Sequence, residues 1–142
     1  MTTISATKGE FVNTINGLFA VQELPGKDFG LVVSKNITIL KESLKDLENA
    51  GKPSEEFMAL AEQVNVIANE NAKDSKDRIQ KLQDENEELV KVRKDQMDAL
   101  TIVMSEEMEV EVHMISEDIL PDNVTAKQIN QLEKLMKWKI YL

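Results

Sequence analysis

Between Pro53 and Pro121 the chain contains neither glycine nor proline, and from Ser54 to about Met104 its apolar residues recur at helical spacing. Glycine and proline are the residues that most readily end a helix, so this stretch predicts one continuous helix. Such a helix would be roughly 50 residues and ~75 Å long. A compact globule of 142 residues has a radius of gyration of only about 14 Å, so the expectation is an elongated molecule. Much of the long helix must then be covered by another chain or stand exposed as a stalk.

The long segment reads in three parts. Phe57, Leu60, Val64 and Ile67 make a regular apolar stripe, which is expected to return along the preceding helix. Asn69 to Arg78, NENAKDSKDR, is almost wholly polar. Beyond it Ile79, Leu82, Asn86, Leu89, Arg93, Leu100 and Met104 resume near-heptad spacing, which predicts an oligomer seam of Ile79, Leu82, Asn86, Leu89 and Leu100. A polar seam residue such as Asn86 costs stability and specifies register or oligomer state; the other reading is that Asn86 tilts out to solvent.

Ahead of this segment, Thr7-Lys8-Gly9-Glu10 forms a capping box, so a helix is expected with Phe11, Ile15, Leu18 and Phe19 inward, ended by Pro25-Gly26. Val33, Ile37, Leu40, Leu44 and Leu47 are spaced 4, 3, 4, 3 along a helix from about Asp28 to Asn49, which wants a partner helix along its length. Ala50-Gly51-Lys52-Pro53 supplies a terminating glycine and then a proline at a helix start. Near the other end, Thr125-Ala126-Lys127-Gln128 is a second capping box, opening a helix that carries Ile129, Leu132, Leu135 and Met136 inward and ends in KWKIYL.

One stretch breaks the helical rhythm. In Glu109 to Met114 apolar side chains alternate with acidic or polar ones, the period-two pattern of a strand with one wet face. A lone strand leaves its backbone groups unpaired. Its partner is expected to be Thr2–Ala6 of the same chain or, failing that, the same strand of a second subunit. The fold class is therefore mainly α: a long antiparallel helical hairpin or coiled coil with a small β element and a short C-terminal helix. It reads as one domain over residues 1–142, with an N-terminal strand and helix (1–26), the hairpin (27–104), and a strand plus helix (105–142).

Composition narrows the chemistry. With 26 acidic residues against 17 Lys and Arg and a net charge of −9, direct binding to DNA or RNA is not expected, because phosphate neutralisation needs clustered cations. Zero cysteines remove disulfides and thiolate chemistry. No apolar stretch approaches the roughly 18 residues of a membrane span, and the N-terminus lacks a basic run followed by an apolar core, so the chain reads as soluble and cytoplasmic. His113, the single histidine, lies beside Glu109 and Glu111; a metal patch there is outweighed by plain surface decoration of a strand. There is no phosphate-binding glycine run and no carboxylate pair in an apolar setting. The protein is accordingly read as no enzyme, with no metal and no cofactor.

Two basic clusters stand out: Lys91, Arg93 and Lys94 on the long helix, and Lys134, Lys137 and Lys139 around Trp138 and Tyr141. A planar ligand stacked on the aromatics with its phosphate met by a cation would use Lys91, Arg93, Lys94, Lys137, Trp138 and Tyr141. The plainer reading is that the cations complement helix C-termini and Trp138 packs on the core.

The run SEEMEVEVHMISEDILPDNVTAKQINQLEKLMKW, following a long charged hairpin, resembles a family of small, mostly uncharacterised tailed-phage proteins in which an acidic strand and a short turn precede a capped, Leu-rich helix. The resemblance is best over Met104 to Trp138 and implies a phage origin, a place in the host cytoplasm, and accessory or assembly roles. Two functions are expected on that basis. One is a non-catalytic homo-oligomeric binding protein that antagonises host defence, sequestering a nucleotide signal or occluding a host protein. The other is a virion scaffold, connector or tail chaperone.

Overall fold

A computed structural model describes residues 1–139; Tyr141, one of the expected ligand contacts, lies outside them. The chain is mainly helical with a small two-stranded sheet. It forms two compact units, one of Met1–Leu47 with the described residues from Val103 onward, the other of Glu48–Ile102. None of the helices among the described residues is long and apolar enough to cross a membrane.

In the first unit β1 (Thr2–Thr7) runs straight into α1 (Lys8–Val21) through the Thr7 capping box. Glu10 N–H donates to Thr7 Oγ1 at 3.1 Å, and Thr7 N–H donates to Glu10 Oε1 at 3.1 Å. Gly26, at φ 121°, then starts α2 (Lys27–Ser43), a dihedral that glycine adopts without Cβ strain. After a non-helical Leu44, whose N–H still donates to Leu40 O at 2.9 Å, comes α3 (Lys45–Gly51). Val33, Leu40, Leu44 and Leu47 of the expected seam are buried, while Ile37 is half-buried.

The strand is where the alternation places it, two residues early: β2 spans Glu107–Val112 and pairs antiparallel with β1 in the same chain, Thr2 opposite Val112 and Thr7 opposite Glu107. Val110 and Val112 point into the core with Ala6, and Glu107, Glu109 and Glu111 face out. Lys8 N–H donates to Glu106 O at 2.9 Å, welding the strand pair to the start of α1.

The C-terminal helix is shorter than expected. α7 covers Ala126–Gln131 behind its Thr125 capping box; a 3-10 turn, Glu133–Leu135, follows. Met136–Lys137 are then extended as β4, parallel to β3 (Ile115–Ser116). Leu132, Leu135 and Met136 are nonetheless buried, as the pattern requires. Phe19 is a correction: it is exposed at the rim, with Lys41 Nζ 6.0 Å from its ring centroid.

The continuous long helix is also corrected. The chain forms α4 (Glu55–Glu70), α5 (Ser75–Glu85) and α6 (Glu87–Met104) instead. Asn71 takes the left-handed conformation, φ 48°, without a glycine, which asparagine tolerates better than other residues with a Cβ. Ser75 then ties the turn: its Oγ accepts from Ala72 N–H at 3.0 Å and donates to Ile67 O at 3.1 Å. An ion pair of Arg78 with Glu70 spans it. So the polar NENAKDSKDR stretch is mostly a turn and a helix start, and α5 folds back on α4 as a hairpin.

Asn86 is neither a buried seam residue nor a solvent-facing one. It is the junction between α5 and α6 at φ −119°, ψ 32°, its Nδ2 donating to Leu82 O at 2.8 Å. A side-chain amide bonded to the carbonyl four residues back competes with the helix ladder, and the helix is interrupted there.

Candidate functional site

The expected ligand residues fall into separate units. Lys91, Arg93 and Lys94 are in Glu48–Ile102, and Lys137 and Trp138 in the other unit. In the first group, among the described residues, only the Arg93 side chain is engaged. Its Nη1 donates to Gly51 O at 2.9 Å and to Gln96 Oε1 at 2.8 Å, and its guanidinium lies 5.6 Å from the Phe57 ring centroid. Gln96 Nε2 donates to Ala50 O at 2.8 Å and Lys52 O at 2.9 Å. Three successive carbonyls where α3 ends are therefore satisfied by side chains of α6, a job that a helix C-terminus otherwise leaves to a left-handed cap or water. Arg93 is a cation at a helix C-terminus, the plainer of its two sequence readings.

Lys91 and Lys94 are exposed, as is Lys137. Trp138 is 48% exposed, so it does not pack on the core as the plainer reading had it. Lys139 is held by Asp118 at 2.5 Å, which raises its pKa, and its backbone N–H donates to Glu117 Oε1 at 3.2 Å. Lys134 reaches Glu10 Oε2 at 2.6 Å.

Glu10 thus has two tasks, cap of α1 and partner of Lys134. The Lys134 hydrogen bond, then those from Thr7, lower its pKa from 4.5 to about 2. A carboxyl depressed by folding contributes stability that is complete above about pH 4.5 and is lost as pH falls through about 2. Glu10→Gln keeps an acceptor for the Thr7 N–H and deletes the ion pair. In acid titrations followed by circular dichroism, the variant is expected to show a shallower loss of stability across that window than the parent protein; parallel curves would show that Glu10 contributes nothing there.

The expected seam residues Ile79, Leu82, Leu89 and Leu100 are each only half-buried in the single chain. Within Glu48–Ile102 the one buried apolar side chain is Leu60, and no residue of α6 is buried. Met58, Val66, Val92, Met97 and Ile102 are exposed, Ile102 by 68%. A groove of about 500 Å³ runs between α4 and α5, lined by Ala59, Val66, Ile67 and Leu82 with Glu62, Glu70 and Arg78 among the polar contributors.

The feature that sequence reasoning missed is Asn36. It is fully buried in the middle of α2, and its side-chain amide clamps the backbone of His113: Nδ2 donates to His113 O at 2.7 Å, and His113 N–H donates to Oδ1 at 2.9 Å. The visible signal was its place three residues after Val33 and four before Leu40, on the buried stripe. His113 itself is half-buried, and it borders a cleft with Ser34, Lys35, Thr38 and Ile39. Among the described residues no group of three or more His, Asp or Glu is placed to hold a metal ion. No family model, curated protein or solved structure matches this chain.

Proposed function

We propose that the protein is a non-catalytic, self-associating helical protein of phage type that acts in the host cytoplasm by binding another protein, as an antagonist of host defence. The observation that carries self-association is the uncovered seam of residues 48–102. One buried apolar side chain, Leu60, is too little for a helical unit to gain from its own core, and the half-buried stripe gains most by meeting a second copy. Occlusion of a host protein is supported by the exposed row Glu107, Glu109 and Glu111 on the wet face of the β1–β2 sheet, which suits a basic partner surface. The nucleotide-sequestering version is weaker, because Arg93 already serves Gly51, Gln96 and Phe57. Phage origin rests on the resemblance of Met104–Trp138. A virion assembly role is the second reading, favoured by the same apolar seam.

Light scattering at micromolar concentration is expected to give a mass at least twice 16.1 kDa. Leu82→Ala and Leu89→Ala are each expected to lower stability by about 2–3 kcal/mol where a copy covers the seam, with a midpoint that rises with protein concentration. A strictly monomeric mass together with near-zero effects of both substitutions would overturn self-association. Loss of binding to host protein after Glu109→Lys and Glu111→Lys, with the oligomer intact, separates occlusion from assembly.

A further inference from the structure

Two cation-capable side chains, Lys35 of α2 and His113 just past β2, line an open space of about 400 Å³ together with Ser34, Thr38 and Ile39. No ion pair of Lys35 occurs among the described residues. The sequence of α2 accounts for it. Its acids, Asp28 and Glu42, stand seven positions away on either side, two turns of helix, beyond the reach of an i,i+4 pair. On the strand side Glu111, two residues before His113, is exposed on the outer face of the sheet.

The donors are also held in place. The Asn36 clamp bonds the His113 peptide on both its N–H and its C=O to the middle of α2, so the imidazole and the Lys35 stem spring from backbones locked together. An imidazole offers at least one ring N–H in either charge state, and an ammonium offers three. Neither the imidazole nor the Ser34 hydroxyl makes a hydrogen bond among the described residues, whereas Thr38 Oγ1 donates to Ser34 O at 3.2 Å and lines the wall. The polar cleft between α1 and α7 shows the contrast: its lysine, Lys134, is neutralised by Glu10 at 2.6 Å.

We propose that this cleft binds a phosphate group, free or as the monoester of a small molecule. A tetrahedral oxyanion presents acceptors in several directions at once. It can therefore take hydrogen bonds from Lys35 and Ser34 on the helix wall and from His113 on the other, which a planar carboxylate does less well. Charge-assisted bonds of this kind are the strong ones, and the open space of about 400 Å³ leaves room for the rest of a small monoester. Ile39 gives an ester's carbon skeleton an apolar surface.

Because His113 is the only histidine, its imidazole Hε1 resonance reports on the cleft without assignment ambiguity. Titration of the full chain with inorganic phosphate or ribose 5-phosphate, at matched ionic strength, is expected to move that resonance to saturation, while chloride leaves it in place. Tighter binding of the ester identifies a phosphorylated metabolite as the ligand type, and equal binding identifies phosphate itself. Lys35→Ala is expected to weaken binding about tenfold or more, the loss of one charge-assisted hydrogen bond. Lys45→Ala, which removes the same charge outside the cleft, leaves it unchanged. An equal shift with chloride, or wild-type binding by a folded Lys35→Ala variant, overturns the proposal.

Discussion

Asn36→Ala is expected to lower the free energy of unfolding by about 2–4 kcal/mol, the cost of leaving two backbone groups without their partner. The His113 N–H and C=O both lose their bonds, 2.9 and 2.7 Å in the native protein, and a methyl group cannot replace either. Asn36→Leu restores volume but not hydrogen bonding and is expected to remain destabilised. Asn36→Asp keeps the acceptor for the His113 N–H, but turns an oxygen toward the His113 carbonyl at a fully buried position, so it is expected to cost at least as much as alanine. Denaturant melts should show a lower midpoint with an unchanged slope. Hydrogen exchange should show selective deprotection of the His113 amide. A general softening of the core without that local signature would assign Asn36 a packing role instead.

Gly17→Ala is expected to destabilise by about 1–3 kcal/mol through overpacking, although alanine is the better helix former by about 1 kcal/mol. The clash wins because of what the new methyl meets. A Cβ at position 17 would stand 2.7 Å from Gln131 Cβ and 3.2 Å from Gln131 O, and neither is the movable end of a side chain. Gly17 is thus a point of close approach between α1 and α7. Gly30 in α2 has nothing within 4 Å of its Cβ position, so Gly30→Ala is expected to stabilise by about 0.5–1 kcal/mol. The opposite signs of one substitution in two helices, read in the same melts, test the α1–α7 contact directly; stabilisation by both would mean that α7 does not press on Gly17.

These positions also mark how far the chain could be read from its residues alone. Both capping boxes form as written, because a cap is settled by groups three residues apart. The β1–β2 pair was legible because alternation in Glu109–Met114 demanded a partner and Thr2–Ala6 was the β-prone segment on offer. The break at Asn71 was not, since its cause is a left-handed asparagine stabilised by a serine hydroxyl eight residues on from the Ile67 carbonyl it bonds. Composition of the NENAKDSKDR stretch suits either a solvated helix face or a turn. Of the residues expected to meet a ligand, Arg93 turned out to be an internal cap, and only its contacts with Gly51 and Gln96 decide that.

By itself, then, the sequence determined the helical class, the caps, the strand and the apolar stripes, all products of interactions within a turn or a pleat. Tertiary structure alone decided that α5 turns back on α4, that Asn36 is buried, and that Lys35 shares a cleft with His113. The physical reason is sequence distance: Asn36 and His113 are 77 residues apart, and no local periodicity can encode which polar side chain on a stripe will find a backbone that far along the chain.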